Sequence, residues 1–205
     1  MPLHVLSHPL GAHVLTHLRD KTTKPALFRT LSYQISLLLA LEATRDLDTE
    51  EKTIETPMEP MLGRVLTKNL VVVPILRAGL GMLQPFNDTF PDVSVGYVGL
   101  ERDHHTAIAR SYYCKLPPLA GTRVVVVDPM LATGGSAAQA VSVVKAAGGT
   151  EIVFVCIVAS PEGVAAMQQA HPEVPIFTGA VDRTLNERKY ILPGLGDFGD
   201  RLYGT

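Results

Sequence analysis

One stretch of the chain, residues 124–136, constrains the fold more than any other. Four valines are followed by Asp128 and Pro129, then by a Thr-Gly-Gly-Ser loop at 133–136, and then by residues that suit a helix. A continuous apolar run without polar alternation is typical of a parallel strand that is covered on both faces. The segment therefore predicts a strand, a sharp loop and a helix, which is the repeating unit of an α/β domain.

Four further apolar runs have the same character and alternate with helix-compatible stretches. The predicted strands are 70–75, 93–100, 123–127, 151–158 and 174–177, and the predicted helices are 31–44, 79–90, 136–147 and 161–170. The alternation predicts a doubly wound α/β domain with a mainly parallel sheet and flanking helices. We expect one domain over residues 1–205, with an N-terminal helical arm over about 1–60 and a small glycine-rich flap over about 185–205.

Charge and composition exclude several classes of protein. The chain has 18 Lys and Arg against 20 Asp and Glu, so its net charge of −2 argues against a broad surface for nucleic acid or membrane. The longest apolar runs are far shorter than the ~20 residues of a membrane span. The two cysteines, Cys114 and Cys156, form no CxxC motif and are expected to be reduced thiols. We expect a cytoplasmic protein, and its net charge is compatible with a local cationic pocket.

The loop at 133–136 has the features of a phosphate-binding site. Its two glycines allow backbone N–H groups to approach an anion closely, and the following helix adds its positive end. Thr133 and Ser136 can donate hydroxyls, and Asp128 can accept hydrogen bonds from two ribose hydroxyls. The segment has neither the Gly-Lys-Ser/Thr of a Walker A loop nor the GxGxxG of a dinucleotide site. The alternative is an ordinary strand-to-helix turn that Ser136 caps.

Three motifs in order carry a resemblance to a known family. The segment DPMLATGGS at 128–136 resembles the 5-phosphoribosyl 1-pyrophosphate (PRPP) motif of type I phosphoribosyltransferases, and in particular that of the uracil phosphoribosyltransferases. The segments PILRAGLGM at 74–82 and PGLGD at 193–197 are similar to that family as well. Many type I enzymes have two adjacent acids in the PRPP motif, whereas here Asp128 is followed by Pro129. The similarity runs along nearly the whole chain.

The resemblance implies which residues meet PRPP. It assigns catalytic roles to Arg77, Arg102 and Asp128, and Arg77 can grip pyrophosphate bidentately while Gly79 and Gly81 keep the backbone close. It also implies that Mg²⁺ enters with PRPP rather than through a dedicated protein metal site. The remaining PRPP contacts that it implies are Pro129, Met130, Leu131, Ala132, Thr133, Gly134, Gly135, Ser136 and Asp197.

The loop after Arg102 departs from the family's pattern. Arg102 and Thr106 match the family, while His104 and His105 replace residues that are usually acidic or polar there. Two adjacent histidines can be considered as metal ligands, but a stable site needs at least a third ligand. We therefore assign these histidines no metal.

The glycine-rich tail is the predicted base-binding element. Uracil is flat and neutral, and its two carbonyls and two N–H groups can be matched by free backbone groups of such a loop. By resemblance, Ile191, Gly196, Asp197 and Phe198 bind uracil. Phe198 stands where the family commonly has alanine, so its ring either narrows the pocket or packs outward. We expect an ordered flap with little regular structure.

The implied reaction is the transfer of the phosphoribosyl group of PRPP to uracil, which gives UMP and pyrophosphate through an oxocarbenium-like state. The family forms dimers or larger assemblies, so a homo-oligomer (a dimer or a tetramer) is implied. The alternatives are a phosphoribosyltransferase for another nucleobase, a PRPP-sensing regulator that binds RNA, and a catalytically silent subunit. The PGLGD segment argues against another base, and the net charge argues against RNA.

Overall fold

The computed structural model describes residues 2–90, 92–102 and 109–205. The strands are β1 (Leu3–Val5), β2 (Thr49–Glu55), β3 (Pro60–Leu66), β4 (Leu70–Leu76), β5 (Ser94–Val95), β6 (Tyr97–Arg102), β7 (Ala109–Lys115), β8 (Arg123–Val127), β9 (Met130–Leu131), β10 (Glu151–Ala159), β11 (Ile176–Val181), β12 (Thr184–Leu185) and β13 (Ile191–Leu192). The helices are α1 (Pro9–Arg19), α2 (Pro25–Ala43), α3 (Leu83–Thr89), α4 (Gly135–Ala146), α5 (Pro161–Ala170) and α6 (Phe198–Tyr203).

Nine of the described strands form one sheet. Its main order is β1-β11-β10-β8-β4-β6-β7, with the short strands β5 and β9 beside β4 and β10. The neighbours from β1 to β6 pair in parallel, and β7 pairs antiparallel with β6. The predicted α/β class with a mainly parallel sheet is confirmed.

The order of the strands places the polar residues predicted for the site along one edge of the sheet. β8, β4 and β6 are parallel neighbours, so their carboxyl ends meet at that edge. Asp128 directly follows β8, Arg77 directly follows β4, and Arg102 ends β6. Open α/β sheets bind ligands at this edge.

The core lies on both faces of the sheet, as the apolar runs predict. Alternate valines of β8 point to opposite faces, so Val125 and Val127 pack with Phe28 of α2 on one side. On the other side Val124 and Val126 pack with Ala140 of α4. All four valines are fully buried.

Several predicted element bounds are wrong. α2 begins at Pro25, six residues before the predicted start, because proline is well suited to the first turn of a helix. The predicted strand 93–100 is divided at Gly96 into β5 and β6, and a Cβ at Gly96 would lie 2.6 Å from the Leu116 side chain. β11 begins two residues later than predicted and ends at Val181.

Other elements differ in kind from the prediction or were not predicted. The predicted helix 79–90 is a 3-10 turn over Ala78–Met82 followed by α3. The N-terminal arm that was predicted as helical over about 1–60 also contains strands β1 and β2. Helix α1 was not predicted as a separate element, and the hairpin of β2 and β3 was not predicted. Nearly every residue of that hairpin is exposed, so it has no buried apolar stripe from which it could be recognised. The predicted helix 161–170 is confirmed.

Within the described ranges, no helix combines the length and the apolar character that crossing a membrane requires.

Candidate active site

A cavity of about 420 Å³ opens at the carboxyl edge of the sheet. One wall is the segment that follows β8, and the other is the C-terminal tail, so the structure brings the predicted PRPP and uracil motifs together. The predicted site residues that line it are Asp128, Met130, Leu131, Ala132, Thr133, Gly134, Ser136, Ile191, Gly196, Asp197 and Phe198. Arg77, Pro129 and Gly135 lie beside it rather than in its lining.

The segment 128–136, which we call the phosphate loop after its predicted role, places the N-terminus of α4 at this cavity. Gly134 is the N-cap residue, and α4 has no side-chain cap, so the alternative in which Ser136 caps the helix is wrong. Gly134 has a φ of 79°, and a Cβ there would lie 2.7 Å from Ala166 Cβ. A Cβ on Gly135 would meet only Thr133 Oγ1, at 3.9 Å. The protein's own packing requires the first glycine, whereas the second leaves open space.

Ser160, the N-cap residue of α5, hydrogen-bonds to the phosphate loop. The Ser160 N–H donates to Leu131 O at 2.9 Å, and Ser160 Oγ donates to Ala132 O at 2.6 Å. Ser160 Oγ also accepts a hydrogen bond from Gly163 N at 2.9 Å. A Cβ on Gly163 would lie 2.5 Å from both loop carbonyl oxygens, so the close packing here depends on glycine.

Asp128 is half-buried at the end of β8. Its backbone N–H donates to Val155 O at 3.1 Å, which anchors the residue to the neighbouring strand β10. Its carboxylate Oδ1 lies 3.5 Å from the N–H of Met130. A carboxylate held in the lining of the cavity in this way can accept hydrogen bonds from a pair of hydroxyls.

Arg77 is exposed at the start of the 3-10 turn, after a cis peptide bond with Leu76. The structure gives the two following glycines a packing role. A Cβ on Gly79 would lie 2.6 Å from Val127 O, and one on Gly81 would lie 2.8 Å from Phe198 Cε1. These glycines let the turn pack against β8 and against the tail, which differs from the expected role of holding the backbone near pyrophosphate.

Only the backbone of Arg102 is described, and it pairs with the backbone of Ala109 between strands β6 and β7. His104, His105 and Thr106 lie outside the described residues.

The tail has more regular structure than predicted, because it contains the hairpin of β12 and β13 and the helix α6. A bidentate ion pair anchors it: Arg19 donates to both carboxylate oxygens of Asp182, at 2.6 and 2.7 Å. Arg19 also donates to Gly194 O at 2.8 Å, and Gly194 N donates back to Asp182 Oδ2 at 2.7 Å. The turn at Gly194 is therefore tied to helix α1.

A second arginine, Arg201 of α6, joins the tail to the N-terminal helices. It donates to the carbonyls of Leu18, of Leu195 at 2.7 Å and of Asp20 at 2.6 Å. Its guanidinium lies 4.4 Å from the centroid of the Phe28 ring, and burial lowers the pKa of Arg201 below its ordinary value. The cation bridges α6 to the segments before and within α2.

Phe198 packs inward. Its side chain is 1% exposed, and its ring centroid lies 5.3 Å from that of Phe28 in the core. Of the two alternatives for this bulky residue, outward packing is wrong. The aromatic ring anchors the first turn of α6 in the core while the residue also borders the cavity.

Asp197 of the tail and Glu162, which contacts the tail from α5, both accept hydrogen bonds from backbone N–H groups. Asp197 is the N-cap of α6, and its Oδ1 accepts from Asp200 N at 3.0 Å. Glu162 of α5 accepts from Thr184 Oγ1 at 2.8 Å and from Leu185 N at 3.1 Å. Hydrogen bonds from its own backbone N–H and from Leu185 hold the pKa of Glu162 below its usual range. α5 thus contacts both walls of the cavity.

The tip of the hairpin supplies cavity residues that the sequence reasoning missed. Arg188, Lys189 and Tyr190 line the cavity. Asn186 organises their turn, since its Oδ1 accepts from the backbone N–H groups of Arg188 and Tyr190, each at 2.9 Å. The signal that was available is an asparagine followed by two cations within the predicted flap.

The donor chemistry of the cavity fits Mg²⁺ that is bound together with a phosphorylated substrate. Asp128 lines it from the phosphate loop and Asp197 lines it from the tail. Mg²⁺ prefers hard oxygen ligands and commonly takes one or two protein carboxylates, with substrate phosphates and water completing its shell.

Comparison with known proteins agrees with this geometry. The sequence profile of the family described as uracil phosphoribosyltransferase matches residues 5–205. The uracil phosphoribosyltransferase of Natranaerobius thermophilus is 52% identical over 205 residues, which cover 99% of this chain and 98% of that protein. That of Dictyoglomus turgidum is 52% identical over 203 residues, which cover 98% of each.

Solved structures extend the comparison to the fold. The AQ2163 protein from Aquifex aeolicus superposes with a TM-score of 0.94 at 38% identity, covering 99% of this chain and 98% of that one. A hypoxanthine-guanine phosphoribosyltransferase from Bacillus anthracis, at 14% identity and a TM-score of 0.53, covers 75% and 78% and shares the fold. With a family profile that spans nearly the whole chain and relatives at half identity, the chain belongs to the uracil phosphoribosyltransferase family.

Proposed function

We propose that this protein transfers the phosphoribosyl group of PRPP to uracil, giving UMP and pyrophosphate. The observation that carries the proposal is the single cavity that is shared by the uncapped N-terminus of α4 and the glycine-rich tail. One wall suits a phosphorylated ribose, and the other suits a flat, neutral base. The two reactants would therefore meet in one cavity.

The phosphate loop holds the ribose 5-phosphate end of the substrate. The N–H groups of the first turn of α4 and the hydroxyls of Thr133 and Ser136 donate to the phosphate oxygens. Asp128 accepts hydrogen bonds from the ribose hydroxyls and fixes the orientation of the ring. Such positioning of the reacting carbon is a large part of catalysis when no strong nucleophile is needed.

Charge that grows on the leaving pyrophosphate is neutralised at the ends of β4 and β6. Arg77 follows β4 and Arg102 ends β6, and these strands are parallel neighbours, so the two residues stand at the same edge of the sheet as Asp128. When bound with PRPP, Mg²⁺ would neutralise further negative charge on the phosphates, held by Asp128 or Asp197.

Uracil is recognised by the tail. The backbone around Ile191 and from Gly196 to Phe198 offers donors and acceptors that match the carbonyl and N–H edge of the base. Cytosine would present an amino group to a backbone donor and leave that donor unpaired, so it should be rejected.

A direct assay tests the reaction. The protein is incubated with PRPP, Mg²⁺ and, separately, uracil, cytosine, hypoxanthine, adenine or orotate, and the mononucleotide is separated by chromatography. We expect UMP from uracil and little product from the other bases. Absence of UMP, or a better reaction with another base, would overturn the proposal.

We also propose that the protein is a single-domain, cytoplasmic homo-oligomer, a dimer or a tetramer. The hairpin of β2 and β3 exposes large apolar side chains, with Met58 91% and Leu62 62% exposed, and such surfaces favour association. The described cysteines, Cys114 and Cys156, are free thiols, which suits a reducing compartment. Light scattering of the purified protein tests the oligomer, and a monomeric mass at micromolar concentration would contradict it.

A further inference from the structure

Among the described residues, the predicted Arg77 does not supply the positive charge that the cavity needs for an anionic substrate. PRPP carries several negative charges, yet the cavity wall includes the carboxylates of Asp128 and Asp197. Arg77 is outside the lining. Of the described residues that line the cavity, Arg188 and Lys189 alone carry a positive side-chain charge, and both come from the hairpin tip.

Lys189 occupies an unusual backbone position. Its φ is 64°, and no other described residue except glycine has a positive φ. A lysine is disfavoured in this left-handed region, where glycine and asparagine are the natural choices. The turn holds Lys189 there, since its N–H donates to Asn186 O at 2.9 Å and Asn186 N donates to Tyr190 O at 2.8 Å. The backbone conformation disfavours lysine, so we attribute the presence of this residue to its side chain.

We propose that Lys189 is a further substrate-binding residue, whose ammonium group contacts the 5′-phosphate of PRPP and of UMP. The inference rests on the proposed function. Lys189 lines the same cavity as Thr133, Gly134 and Ser136, which form the 5′-phosphate loop, whereas Arg77 at the pyrophosphate end does not. The 5′-phosphate is then bound between the α4 N-terminus and a cation from the hairpin.

Three variants separate the charge of Lys189 from its backbone position. Lys189→Gly and Lys189→Asn both remove the cation and tolerate the left-handed φ, and the asparagine variant also retains a polar side chain. Lys189→Arg keeps a positive charge at the same position. Lys52→Gln, on the exposed strand β2, is the matched control for the loss of a surface lysine. Thermal melting reports the fold, and it should show a Tm for Lys189→Gly that is no lower than that of the unchanged protein.

Steady-state kinetics then measures KM for both substrates and the inhibition constants of UMP and pyrophosphate. We expect the glycine and asparagine variants to raise KM for PRPP and the inhibition constant of UMP roughly fivefold, as suits one exposed charge-assisted contact. The effect should shrink at high salt. KM for uracil and inhibition by pyrophosphate should stay unchanged, Lys189→Arg should restore most of the affinity, and Lys52→Gln should behave like the unchanged protein.

Unchanged KM for PRPP and unchanged inhibition by UMP in the glycine variant would overturn the inference while leaving the proposed function intact. Weaker inhibition by pyrophosphate with normal inhibition by UMP would also overturn it, because the cation would then serve the other end of PRPP. Failure of the unchanged protein to make UMP is the separate outcome that removes the proposed function itself.

Discussion

At the scale of single residues, the positions of the candidate site residues were more predictable than the packing around them. Asp128, Thr133 and Ser136 could be predicted because their side chains follow a strand in a recognisable spacing. The packing of Gly81 against Phe198 could not, since it depends on a contact between segments more than a hundred residues apart. Lys189 was missed because lysine rarely adopts a left-handed φ, so the sequence gives no signal that this residue does so.

The two glycines of the phosphate loop should respond differently to alanine. In Gly134→Ala the new methyl group would be strained by the positive φ and would clash with atoms of α5. We therefore expect this variant to lower the free energy of unfolding by about 2 kcal/mol or more. Gly135→Ala meets open space and should fold normally, but its methyl group would take room from the phosphate and raise KM for PRPP. Chemical denaturation and kinetics on both variants check this, and equal stability of the two would contradict it.

Arg77 provides the residue-scale test of the leaving-group chemistry. Arg77→Ala should cost about 3–4 kcal/mol of transition-state stabilisation, by analogy with the removal of one oxyanion donor. Because Arg77 is exposed, the Tm should hardly change. The measurement is kcat/KM for PRPP, with Arg45→Ala at the far edge of the sheet as control. Near-normal turnover of Arg77→Ala would contradict the assignment.

At the scale of elements, α5 links the two walls of the cavity. Ser160 binds the phosphate loop, and Glu162 binds the start of the hairpin at Thr184 and Leu185. The bounds of α5 were predicted because Pro161 marks a helix start, and α2 was recognised by its apolar spacing. The hairpin of β2 and β3 was not predicted, because nearly all of its side chains are exposed and they show no alternation of buried and exposed positions.

Removing the Glu162 carboxylate should loosen the base-binding hairpin. We expect Glu162→Ala to raise KM for uracil several-fold and KM for PRPP by less, because the hairpin that carries both Ile191 and Lys189 loses its tie while the phosphate loop keeps its own contacts. Glu162→Gln keeps an acceptor oxygen and should restore most of the affinity. Glu173→Ala, which lies beyond the other end of α5, is the control. A change confined to KM for PRPP would count against this role.

At the scale of the whole molecule, the sheet separates two kinds of charged surface. The carboxyl edge holds the cavity, and the amino edge holds ion pairs that join distant segments. Arg123 there pairs with Asp46 at 3.0 Å, and Lys68 pairs with Glu151. The net charge of −2 argued against a broad cationic surface, and the motifs predicted that positive charge would be local. Neither indicated these ion pairs, which depend on the strand order.

These pairs predict a loss of stability in acid. The hydrogen bond from Arg123 holds the pKa of Asp46 below its ordinary value, and that from Lys68 does the same for Glu151. A carboxyl group whose pKa is lower in the folded state than in the unfolded state stabilises the fold at pH values above its unfolded-state pKa. This stabilisation is lost as the pH falls through the folded-state pKa. We expect Tm to fall as the pH drops below about 4, and Arg123→Met should flatten that fall. An equally steep fall in Arg123→Met would argue against it.

The central claim is that one cavity holds a phosphate at the N-terminus of α4 and uracil at the tail. A crystal structure of the protein with UMP tests it most directly. The phosphate should lie within hydrogen-bond distance of the backbone N–H groups of Gly135 and Ser136, with the base against Ile191 and the segment from Gly196 to Phe198. UMP bound elsewhere, or bound with its base at the phosphate loop, would contradict the account.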